Sequence, residues 1–551
     1  MPLATDDPEP ATATRLSAPP AALCGLLGVA AALAVGDLVA GLLSPASSPV
    51  LAVGGQFIRL TPEWLKAFAI ATFGVYDKLA LLLGIAVVLV LMAAAAGLGS
   101  RRSAAPGAVV IVVLGVVAVA SATAAPVFSL VDLVAPLAAL AAGLAVWFGL
   151  HRLAMRRAAA VASSDDGSAP DEEGSEDAPS SSEQPTVHRT GPVGRLGAAR
   201  RRFLLGVVGA AAGAGAAAVA GRWLAAAGGA DASRAAVGAL PDAPGPLADL
   251  SGADFAAQGT PTWLTPNNAF YRIDTALQVP QLTTRDYALR IHGLVDRELR
   301  LSYDDLRARR LVEAPITMTC VSNEVGGSLI SNAVFLGVPL ADLLAEVGVR
   351  PEAQQIASTS VDGFTTGTPV AAVTDGRAAM LALAMNGEPL PVEHGFPVRM
   401  VVPGLYGFVS GCKWLTDMEL TTFGEFTSYW EQRGWAEQAP VKTQSRIDVP
   451  RAGGTVLAGR TTLAGVAWAQ HTGVARVEVR ADGGAWQDAE LARDVSIDTW
   501  RMWRTEVDLA PGAHRLQVRA TDRGGDTQVA TPSLTIPDGA SGWHTVDVTA
   551  I

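Results

Sequence analysis

The stretch ITMTCVSNEVGG, residues 316–327, places one cysteine between an apolar, strand-like run and a polar turn that ends in two glycines. Cys320 is one of 3 cysteines in 551 residues, and the others are Cys24 and Cys412. Such a set cannot build a disulfide framework, and none of the three stands in the C-x-x-C pair of a zinc ribbon. Any chemical role of Cys320 is therefore that of a single thiol.

The composition predicts a chain that is partly embedded in a membrane. Hydrophobic residues make up 50% of it and the mean hydropathy is +0.31, while its 551 residues suffice for three or four domains. The net charge of -11 at pH 7 leaves no basic surface large enough to neutralise several phosphates of a polynucleotide. Nucleic acid is therefore not expected as a partner.

Four uncharged stretches near the N-terminus have the length that crosses a hydrocarbon layer of about 30 Å. They are residues 16–36, 79–98, 107–131 and 133–150. Arginines follow the second and the fourth stretch, and the positive-inside bias places these ends in the cytoplasm: Arg101, Arg102, Arg152, Arg156 and Arg157. The sequence thus predicts a transmembrane bundle of four helices over residues 1–157, in a multi-pass protein of the cell membrane that contacts its lipids.

Polar groups near these stretches carry little functional information. Residues 57–68 are equally consistent with an interfacial helix on the outer face and with a plain loop. Asp37 and Asp132 are interpreted as residues of helix ends at the outer interface rather than as functional intramembrane carboxylates. Because the first histidine of the stretches is His151, at their very end, no haem held between paired histidines is expected.

A disordered acidic linker is predicted for residues 158–198, whose polar, aromatic-free composition cannot form a core. The next segment, 199–227, opens with Arg200, Arg201 and Arg202 before a weakly hydrophobic span, and resembles a twin-arginine export signal. The alternative is a plain fifth transmembrane anchor. In both cases the chain crosses outward, which places the region after residue 227 outside the cytoplasm.

The outer region divides into two predicted domains. Strand and helix signals interchange over residues 228–434, which indicates an α+β domain. Residues 435–551 contain short alternating strands separated by Asp-Gly-Gly and Pro-Gly turns, with Val477 and Val518 among the inward positions. This pattern is typical of an immunoglobulin-like β-sandwich. The complete fold class is therefore multidomain: an all-α membrane bundle, an α+β domain and a β-sandwich.

Three stretches of the α+β domain concentrate groups that bind anions: residues 265–274, 360–364 and 394–414. Arginine and lysine make charge-assisted bonds to phosphate, histidine adds a donor, and glycine lets main-chain N–H groups approach a ligand. The residues of these types are Arg272, Arg399, Lys413, His394, Gly404, Gly407 and Gly411. They indicate a phosphorylated cofactor beside a thiolate, which suits a soft metal whose other ligands come from the cofactor.

In these motifs the chain resembles the sulfite oxidase family of molybdopterin enzymes, over about residues 255–545. The resemblance rests on Cys320 followed at its third position by Asn323, and on the run MNGEPLPVEHGFPVR from Met385 to Arg399. It implies one molybdenum per chain, held by Cys320 and by two dithiolene sulfurs of the pterin. It implies Cys320 and Arg272 as catalytic residues, and as cofactor contacts Phe270, Tyr271, Arg272, Cys320, Asn323, Asp362, His394, Arg399, Gly411, Cys412 and Lys413. From its surroundings alone, Cys412 is interpreted as structural.

Departures from the family pattern concern the substrate. Glu324 and Val325 stand where sulfite oxidases have arginines that hold the oxyanion, Asp274 replaces a histidine, and Leu383 replaces a tyrosine that reaches the metal-oxo group. These changes predict poor turnover of sulfite. Exported reductases of oxidised methionine, a separate branch, also lack the sulfite-binding set, so the direction of the reaction stays open.

The expected function is a membrane-anchored oxidoreductase that transfers an oxygen atom and two electrons to or from a small or protein-bound sulfur or nitrogen oxide. An external electron carrier is the implied redox partner, and the resemblance implies a homodimer formed through the C-terminal domain. The alternative is an inactive, membrane-tethered binding or assembly protein that keeps the molybdopterin fold. The intact cysteine favours the enzyme, whereas the missing substrate arginines favour the alternative.

Overall fold

The computed structural model describes residues 15–43, 47–62, 65, 68, 72–73, 77–125, 128–165, 192–227, 229–241, 243, 249–255 and 259–551. The chain forms two compact units, Met1–Ala227 and Gly228–Ile551, called here the first and the second unit.

The first unit is helical. Its helices are α1 (Ala18–Leu43), α2 (Pro49–Leu60), α3 (Asp77–Gly99), α4 (Ala105–Thr123), α5 (Val134–Asp165) and α6 (Pro192–Ala227), with a 3-10 turn at Leu130–Leu133. Five of them, all but α2, are long and apolar enough to cross a membrane. Small residues allow close packing: a Cβ atom at Gly107 would lie 2.1 Å from the ring of the buried Trp147.

Several details of this unit differ from the expectations. The linker predicted for 158–198 is shorter, because the alanine-rich end of α5 continues as helix to Asp165 and α6 already begins at Pro192. Its remaining part, 166–191, lies outside the described residues. Between α1 and α3, the helical segment α2 ends at Leu60, and the choice between an interfacial helix and a loop for 57–68 stays open because residues 63, 64, 66 and 67 lie outside the described residues.

The two carboxylates near the apolar helices, Asp37 and Asp132, have local partners. Asp37 lies within α1, before its last turn, and accepts a hydrogen bond of 2.5 Å from the Ser48 hydroxyl. Asp132 closes a capping box with Ser129 at the 3-10 turn. The ring of His151 is hydrogen-bonded through Nε2 to the Ser100 carbonyl at 2.8 Å. Each of these polar groups has a structural role in the fold.

The second unit begins with α7 (Ala230–Val237), and two sheets around a common core follow. One has the order β2-β1-β10-β5-β6, and the other the order β3-β4-β7-β8 with β9 paired to β7. Their bounds are β1 (Ala288–Gly293), β2 (Leu299–Ser302), β3 (Val312–Thr319), β4 (Ile330–Pro339), β5 (Gln355–Ser360), β6 (Thr365–Pro369), β7 (Met380–Met385), β8 (Glu388–Pro389), β9 (Arg399–Val401) and β10 (Leu415–Thr421). Four short helices connect them: α8 (Tyr303–Arg307), α9 (Leu340–Val347), α10 (Val370–Thr374) and α11 (Gly407–Ser410).

The C-terminal part of this unit is a pair of sheets, β11-β13-β17-β16 and β12-β19-β18-β14-β15, which share one apolar core. The alternation of the sequence places Val477, Val479, Leu516 and Val518 inside, as predicted, and all four are 0% exposed. The strands are β11 (Gln444–Val449), β12 (Thr455–Val456), β13 (Gly459–Trp468), β14 (Val474–Ala481), β15 (Gln487–Asp488), β16 (Glu490–Leu491), β17 (Arg501–Leu509), β18 (Gly512–Asp522) and β19 (His544–Ala550).

A further apolar cluster joins these C-terminal sheets to the preceding domain. Trp468 and Trp500 from the C-terminal part pack in it with Val321, Ile330 and Tyr406. Since Val321 directly follows Cys320, the C-terminal sheets contribute to the position of the thiol.

Candidate active site

Cys320 follows the last residue of β3, at the start of a loop that returns to β4. Its N–H donates to the Leu329 carbonyl at 2.9 Å, and the Asn323 N–H donates to the Cys320 carbonyl at 3.0 Å. The Asn323 side-chain oxygen accepts from the Leu329 N–H at 2.8 Å. These bonds close the loop upon itself and fix the backbone of Cys320.

The C-terminal sheets hold the same loop from outside. Arg446 on β11 donates through Nη1 to the Gly327 carbonyl at 2.7 Å. The His544 ring packs so tightly on Gly326 (φ 77°) that a Cβ atom there would lie 2.2 Å from it. His544 is itself held, because its Nδ1 accepts from the Ile447 N–H at 3.0 Å. The loop after Cys320 thus rests on residues more than 100 positions away in sequence.

The Cys320 thiol stays protonated in the absence of a metal. Burial raises its pKa, and hydrogen bonds from the backbone N–H and the hydroxyl of Ser322 oppose that shift. The thiolate needed for coordination therefore requires a positive partner, which a bound metal ion supplies.

A cleft with about 830 Å³ of open space, including its mouth, lies beside this thiol. Cys320 lines it together with residues of all three anion-binding stretches of the sequence. The lining residues are Phe270, Tyr271, Ile273, Asp274, Thr275, Met318, Cys320, Val321, Ser322, Ser360, Asp362, Phe364, His394, Arg399, Gly407, Phe408, Gly411, Lys413, Trp414, Trp430 and Trp435. The fold thereby brings together side chains that are up to 165 positions apart in sequence (270 to 435).

The Arg399 guanidinium is the most unusual group of the cleft. It is 5% exposed, its Nη1 donates to the His394 carbonyl at 3.2 Å, and its Nε has no hydrogen-bond partner among the described residues. Burial lowers the pKa of Arg399 to about 10, so the group is still charged at neutral pH. A buried cation without a neutralising carboxylate is unfavourable, and an anionic ligand would satisfy it.

Lys413 is the second buried cation, and it differs from Arg399 because it is paired. Its Nζ lies 3.0 Å from a carboxylate oxygen of Asp274 and donates to the Glu393 carbonyl at 3.2 Å. The same Asp274 oxygen is 2.8 Å from Arg272 Nε. Burial lowers the pKa of Lys413 to about 8, and the charge of Asp274 opposes this shift.

His394 sits against the aromatic side chain of Phe270, whose ring centroid is 5.4 Å away. Its Nε2 lies 3.0 Å from the Asn267 carbonyl, so this nitrogen carries the proton and donates. Burial lowers the pKa of His394 to about 4, and Arg399 adds to the shift. The ring is therefore neutral at pH 7. Its N–H, which the sequence suggested as a donor to phosphate, donates to the Asn267 carbonyl instead.

Two features shape the cleft for close approach by a ligand. A Cβ atom at Gly411 would lie 2.9 Å from the Gly407 carbonyl oxygen and 3.4 Å from Arg399 Nη2, so a side chain would fill the space beside the guanidinium. Asp362 lies in the β5–β6 turn, where its Oδ1 accepts from the Phe364 N–H at 3.1 Å. Both residues line the cleft.

Three expected cofactor contacts are not among the cleft-lining residues. Asn323 stabilises the loop, Cys412 is 0% exposed in the core, and Arg272 is directed to Asp274. Glu324 is exposed outside the cleft, because the loop turns its side chain to solvent. Leu383, at the place of the family's tyrosine, is 0% exposed in the core.

One wall of the cleft was missed by the sequence analysis. Phe364, Phe408, Trp430 and Trp435 line it, and they come from three separate segments. The signal that could have drawn attention to it is the density of aromatic residues in YWEQRGW, residues 429–435.

The residues present fit a molybdopterin. A thiol suits a soft metal, the unpaired Arg399 suits a phosphate, and the space at Gly411 would be lost with any larger residue.

Comparisons with known proteins agree with this chemistry. Residues 276–430 match the family described as "Oxidoreductase molybdopterin binding domain". Human mitochondrial sulfite oxidase is 33% identical over 342 residues, which cover 52% of this chain and 62% of that protein. The uncharacterized oxidoreductase YuiH of Bacillus subtilis is 36% identical over 147 residues, 27% of this chain and 71% of that protein.

Among solved structures, the sulfane dehydrogenase SoxCD from Paracoccus pantotrophus is 25% identical with a TM-score of 0.45, over 53% of this chain and 82% of that chain. The matched region spans less than two thirds of the length of the mammalian sulfite oxidases. The chain belongs to the sulfite oxidase family of molybdopterin-binding oxidoreductases.

Proposed function

We propose that this protein is a membrane-anchored molybdenum-cofactor enzyme that transfers an oxygen atom and two electrons on a neutral sulfur or nitrogen oxide. The observation that supports this most strongly is the presence of the Cys320 thiol and the unpaired Arg399 guanidinium in one cleft. These groups match the two chemically distinct ends of the cofactor, its metal and its phosphate.

The cleft-lining residues that the sequence identified as cofactor contacts have proposed tasks toward the cofactor. Cys320 holds the metal, Arg399 binds the phosphate, and Gly411 leaves room beside it. His394, Phe270, Tyr271, Asp362 and Lys413 form the remaining surface of this end. When bound, the cofactor supplies two-electron, oxygen-atom transfer chemistry. Asn323 and Cys412 support the site through the backbone, the former by closing the Cys320 loop.

The proposed substrate is uncharged because the cleft has no cation left to hold a sulfite dianion. Of its two lining cations, Lys413 is paired with Asp274 and Arg399 is assigned to the cofactor. Glu324, which stands where sulfite oxidases have arginines, does not repel sulfite from the cleft, because its side chain is exposed outside it. Arg272 is directed to Asp274, so we assign it a positioning role rather than a catalytic one.

The reaction balances in either direction with an external electron carrier. Reduction of a sulfoxide consumes two electrons from the carrier and two protons, breaks the sulfur–oxygen bond and yields a thioether and water. Oxidation of the thioether consumes water and returns two electrons and two protons. A small oxide and one carried on a protein are both candidates.

We further propose that the apolar helices α1, α3, α4, α5 and α6 span the cell membrane. The arginines after α3 and within α5 would then lie in the cytoplasm and the second unit outside it. Replacement of Arg200 and Arg201 by lysine distinguishes the two interpretations of α6. If α6 is a twin-arginine signal, the substituted protein should keep its second unit in the cytoplasm. If α6 is a plain anchor, the second unit should remain as accessible to external protease as in the wild type.

The C-terminal sheets are proposed to form an immunoglobulin-like sandwich, with homodimerisation as a further role. Within the proposed domains, 228–434 binds the cofactor and 435–551 supports the Cys320 loop. The absence of haem stays a prediction, to be tested by the visible absorption spectrum of the purified chain.

Molybdenum and pterin contents per purified chain, together with turnover of a sulfoxide using an artificial electron donor, test the proposed function. One molybdenum and one pterin per chain with turnover are expected. Full loading without turnover in either direction on sulfoxides, N-oxides and their reduced forms would favour the alternative of an inactive binding or assembly protein.

A further inference from the structure

The aromatic wall of the cleft consists of Phe364, Phe408, Trp430 and Trp435, and none of the cofactor contacts proposed above belongs to it. The two tryptophans are partly buried against the apolar cluster that joins the C-terminal sheets to the preceding domain. Part of each ring is therefore structural, and the remainder faces the cleft. Apolar surface that lines a cleft is a common means of binding the uncharged part of a ligand.

The rings of this wall contact one another in sequence around the cleft. The ring centroids of Phe408 and Trp435 are 5.9 Å apart, and those of Trp435 and Trp430 are 6.2 Å apart at 78°. Tyr429 continues the series behind the wall, 5.1 Å from Trp430 and 5.7 Å from Phe364. Edge-to-face packing of this kind holds each ring in one orientation.

Backbone contacts fix the wall from two sides. The Trp435 N–H donates to the Trp430 carbonyl at 3.3 Å across the turn that contains the 3-10 helix Glu431–Arg433. The Ala436 N–H donates to the Pro537 carbonyl at 2.9 Å, in a loop of the C-terminal part. The guanidinium of Arg433 stacks on Tyr429, 3.7 Å from its centroid. The wall is thus built before any ligand arrives, which reduces the entropic cost of binding.

The position of the wall in the cleft indicates which part of the substrate it would meet. The cationic residues Arg399 and Lys413 and the thiol of Cys320 line the same cleft and are assigned to the cofactor. The aromatic side chains form a large part of the surface that remains for the substrate, beside smaller residues such as Met318 and Ser322. They offer few hydrogen bonds and a large apolar area, so they select for size and apolarity rather than for charge.

We propose that the aromatic wall binds an uncharged aryl or bulky alkyl substituent on the sulfur or nitrogen atom of the oxide. This inference rests on the proposed function and specifies its substrate class. Small oxides such as dimethyl sulfoxide would reach the same centre without filling the wall. The reaction at the oxide is the same for both, so the wall changes selectivity between substrates.

Turnover of dimethyl sulfoxide and methyl phenyl sulfoxide by the full, cofactor-loaded chain in detergent tests this inference. In the wild type, kcat/KM should be at least about tenfold higher for the phenyl compound, mainly through a lower KM. Trp435→Ala should bring the ratio of the two kcat/KM values close to one. Trp435→Phe should restore most of the preference for the phenyl compound. Trp486→Ala, which removes a partly exposed tryptophan of the C-terminal sheets, should leave the ratio unchanged.

Methyl phenyl sulfone, which carries the same ring, provides a readout without turnover. It should quench the tryptophan fluorescence of the wild type in a saturable manner and do so much more weakly in Trp435→Ala. Quenching together with absent turnover would support the wall and contradict the proposed function.

Turnover with equal kcat/KM values for both sulfoxides in the wild type would contradict the wall and leave the proposed function intact. A preference for a sulfoxide that bears a quaternary ammonium group over the phenyl compound would also overturn the inference, because it would show selection of a cation by the aromatic rings.

Discussion

Two sets of cleft-lining residues, called here the charged end and the aromatic end, differ in how they are built. At the charged end, Arg399 and Lys413 are buried and carry pKa values lowered to about 10 and about 8. At the aromatic end, Trp430 and Trp435 pack ring against ring and are only partly buried. A buried charge is costly without its ligand, whereas an aromatic wall is stable alone. The charged end is therefore adapted to one permanent anion, and the aromatic end to ligands that come and go.

The largest effect is expected at Cys320, which lies in the cleft that both ends share. Cys320→Ser should lower kcat by at least about a thousandfold, because a hydroxyl is a poor replacement for a thiolate toward a soft metal. Pterin content should remain close to that of the wild type, since the charged end is intact. Cys412→Ser serves as the control thiol, and full activity of Cys320→Ser would show that the metal is held elsewhere.

Arg399→Met should separate cofactor binding from stability. Loss of a charge-assisted bond to phosphate predicts a large drop in pterin content of the purified chain. In chains produced without pterin, the same change should raise the melting temperature, because an unpaired buried cation is replaced by an apolar side chain. A gain of ~1 kcal/mol corresponds to a shift of about 2–4 °C in a domain of this size.

The control for Arg399→Met is Arg310→Met, which removes an exposed arginine paired with Asp342. It should alter neither pterin content nor the melting temperature by more than a small amount. A cofactor-free Arg399→Met chain that melts below the wild type would contradict the assignment of Arg399 as an unsatisfied cation.

Asp274→Asn tests the proposed reason for poor turnover of sulfite. The change leaves Lys413 without its carboxylate partner, which should destabilise the chain by ~3–5 kcal/mol. Because the charge of Asp274 supports that of Lys413, the change also lowers the lysine pKa further below about 8, so kcat/KM for sulfite relative to that for dimethyl sulfoxide should rise only at pH values low enough to keep Lys413 protonated. Steady-state assays of both substrates measure this ratio, and a ratio equal to that of the wild type would exclude Asp274 as the reason.

The smallest effect concerns pH and the loop that carries Cys320. Burial lowers the pKa of His544 to about 4. The unfolded chain, with a histidine pKa near 6.5, therefore binds more protons between pH 6.5 and 4, and stability is lost as the pH falls through that window. His544→Asn keeps an acceptor for the Ile447 N–H and removes the titration.

We therefore expect the difference in melting temperature between pH 7 and pH 4.5 to be smaller in His544→Asn than in the wild type. His514→Asn is the control, because the hydrogen bond to Asp482 raises the pKa of that partly buried ring, so its removal should not make the difference smaller. Equal differences in all three proteins would show that His544 does not titrate in this window.

The charged end could be predicted from the sequence because its residues stand in contiguous motifs. Arg399 and His394 lie in one run, and Gly411 lies two positions before Lys413. The partners of these groups could not be predicted from the sequence. Lys413 pairs with Asp274 across 139 positions, and His394 donates to a carbonyl across 127 positions. Sequence likewise could not show that Glu324 faces solvent, because its direction depends on the closed loop around Asn323.

The aromatic end was not predicted, because its rings come from Phe364, Phe408 and the 429–435 segment and share no motif. The five long apolar helices of the first unit followed directly from runs of apolar residues, whereas α2 was not predicted. Their ends did not, because alanine-rich flanks continue α5 to Asp165 beyond the apolar run. Long-range contacts and element ends are thus the features that local patterns leave undetermined.

X-ray absorption at the molybdenum edge of the purified, full-length protein tests most directly that Cys320 joins the cofactor in this cleft. Fits should require three sulfur ligands in the wild type, two from the pterin dithiolene and one from Cys320, and two sulfur ligands in Cys320→Ser. Cys412→Ser should keep three. An identical sulfur count in the wild type and Cys320→Ser, or a wild type that contains no molybdenum after production in cells that load the cofactor, would contradict the proposed site.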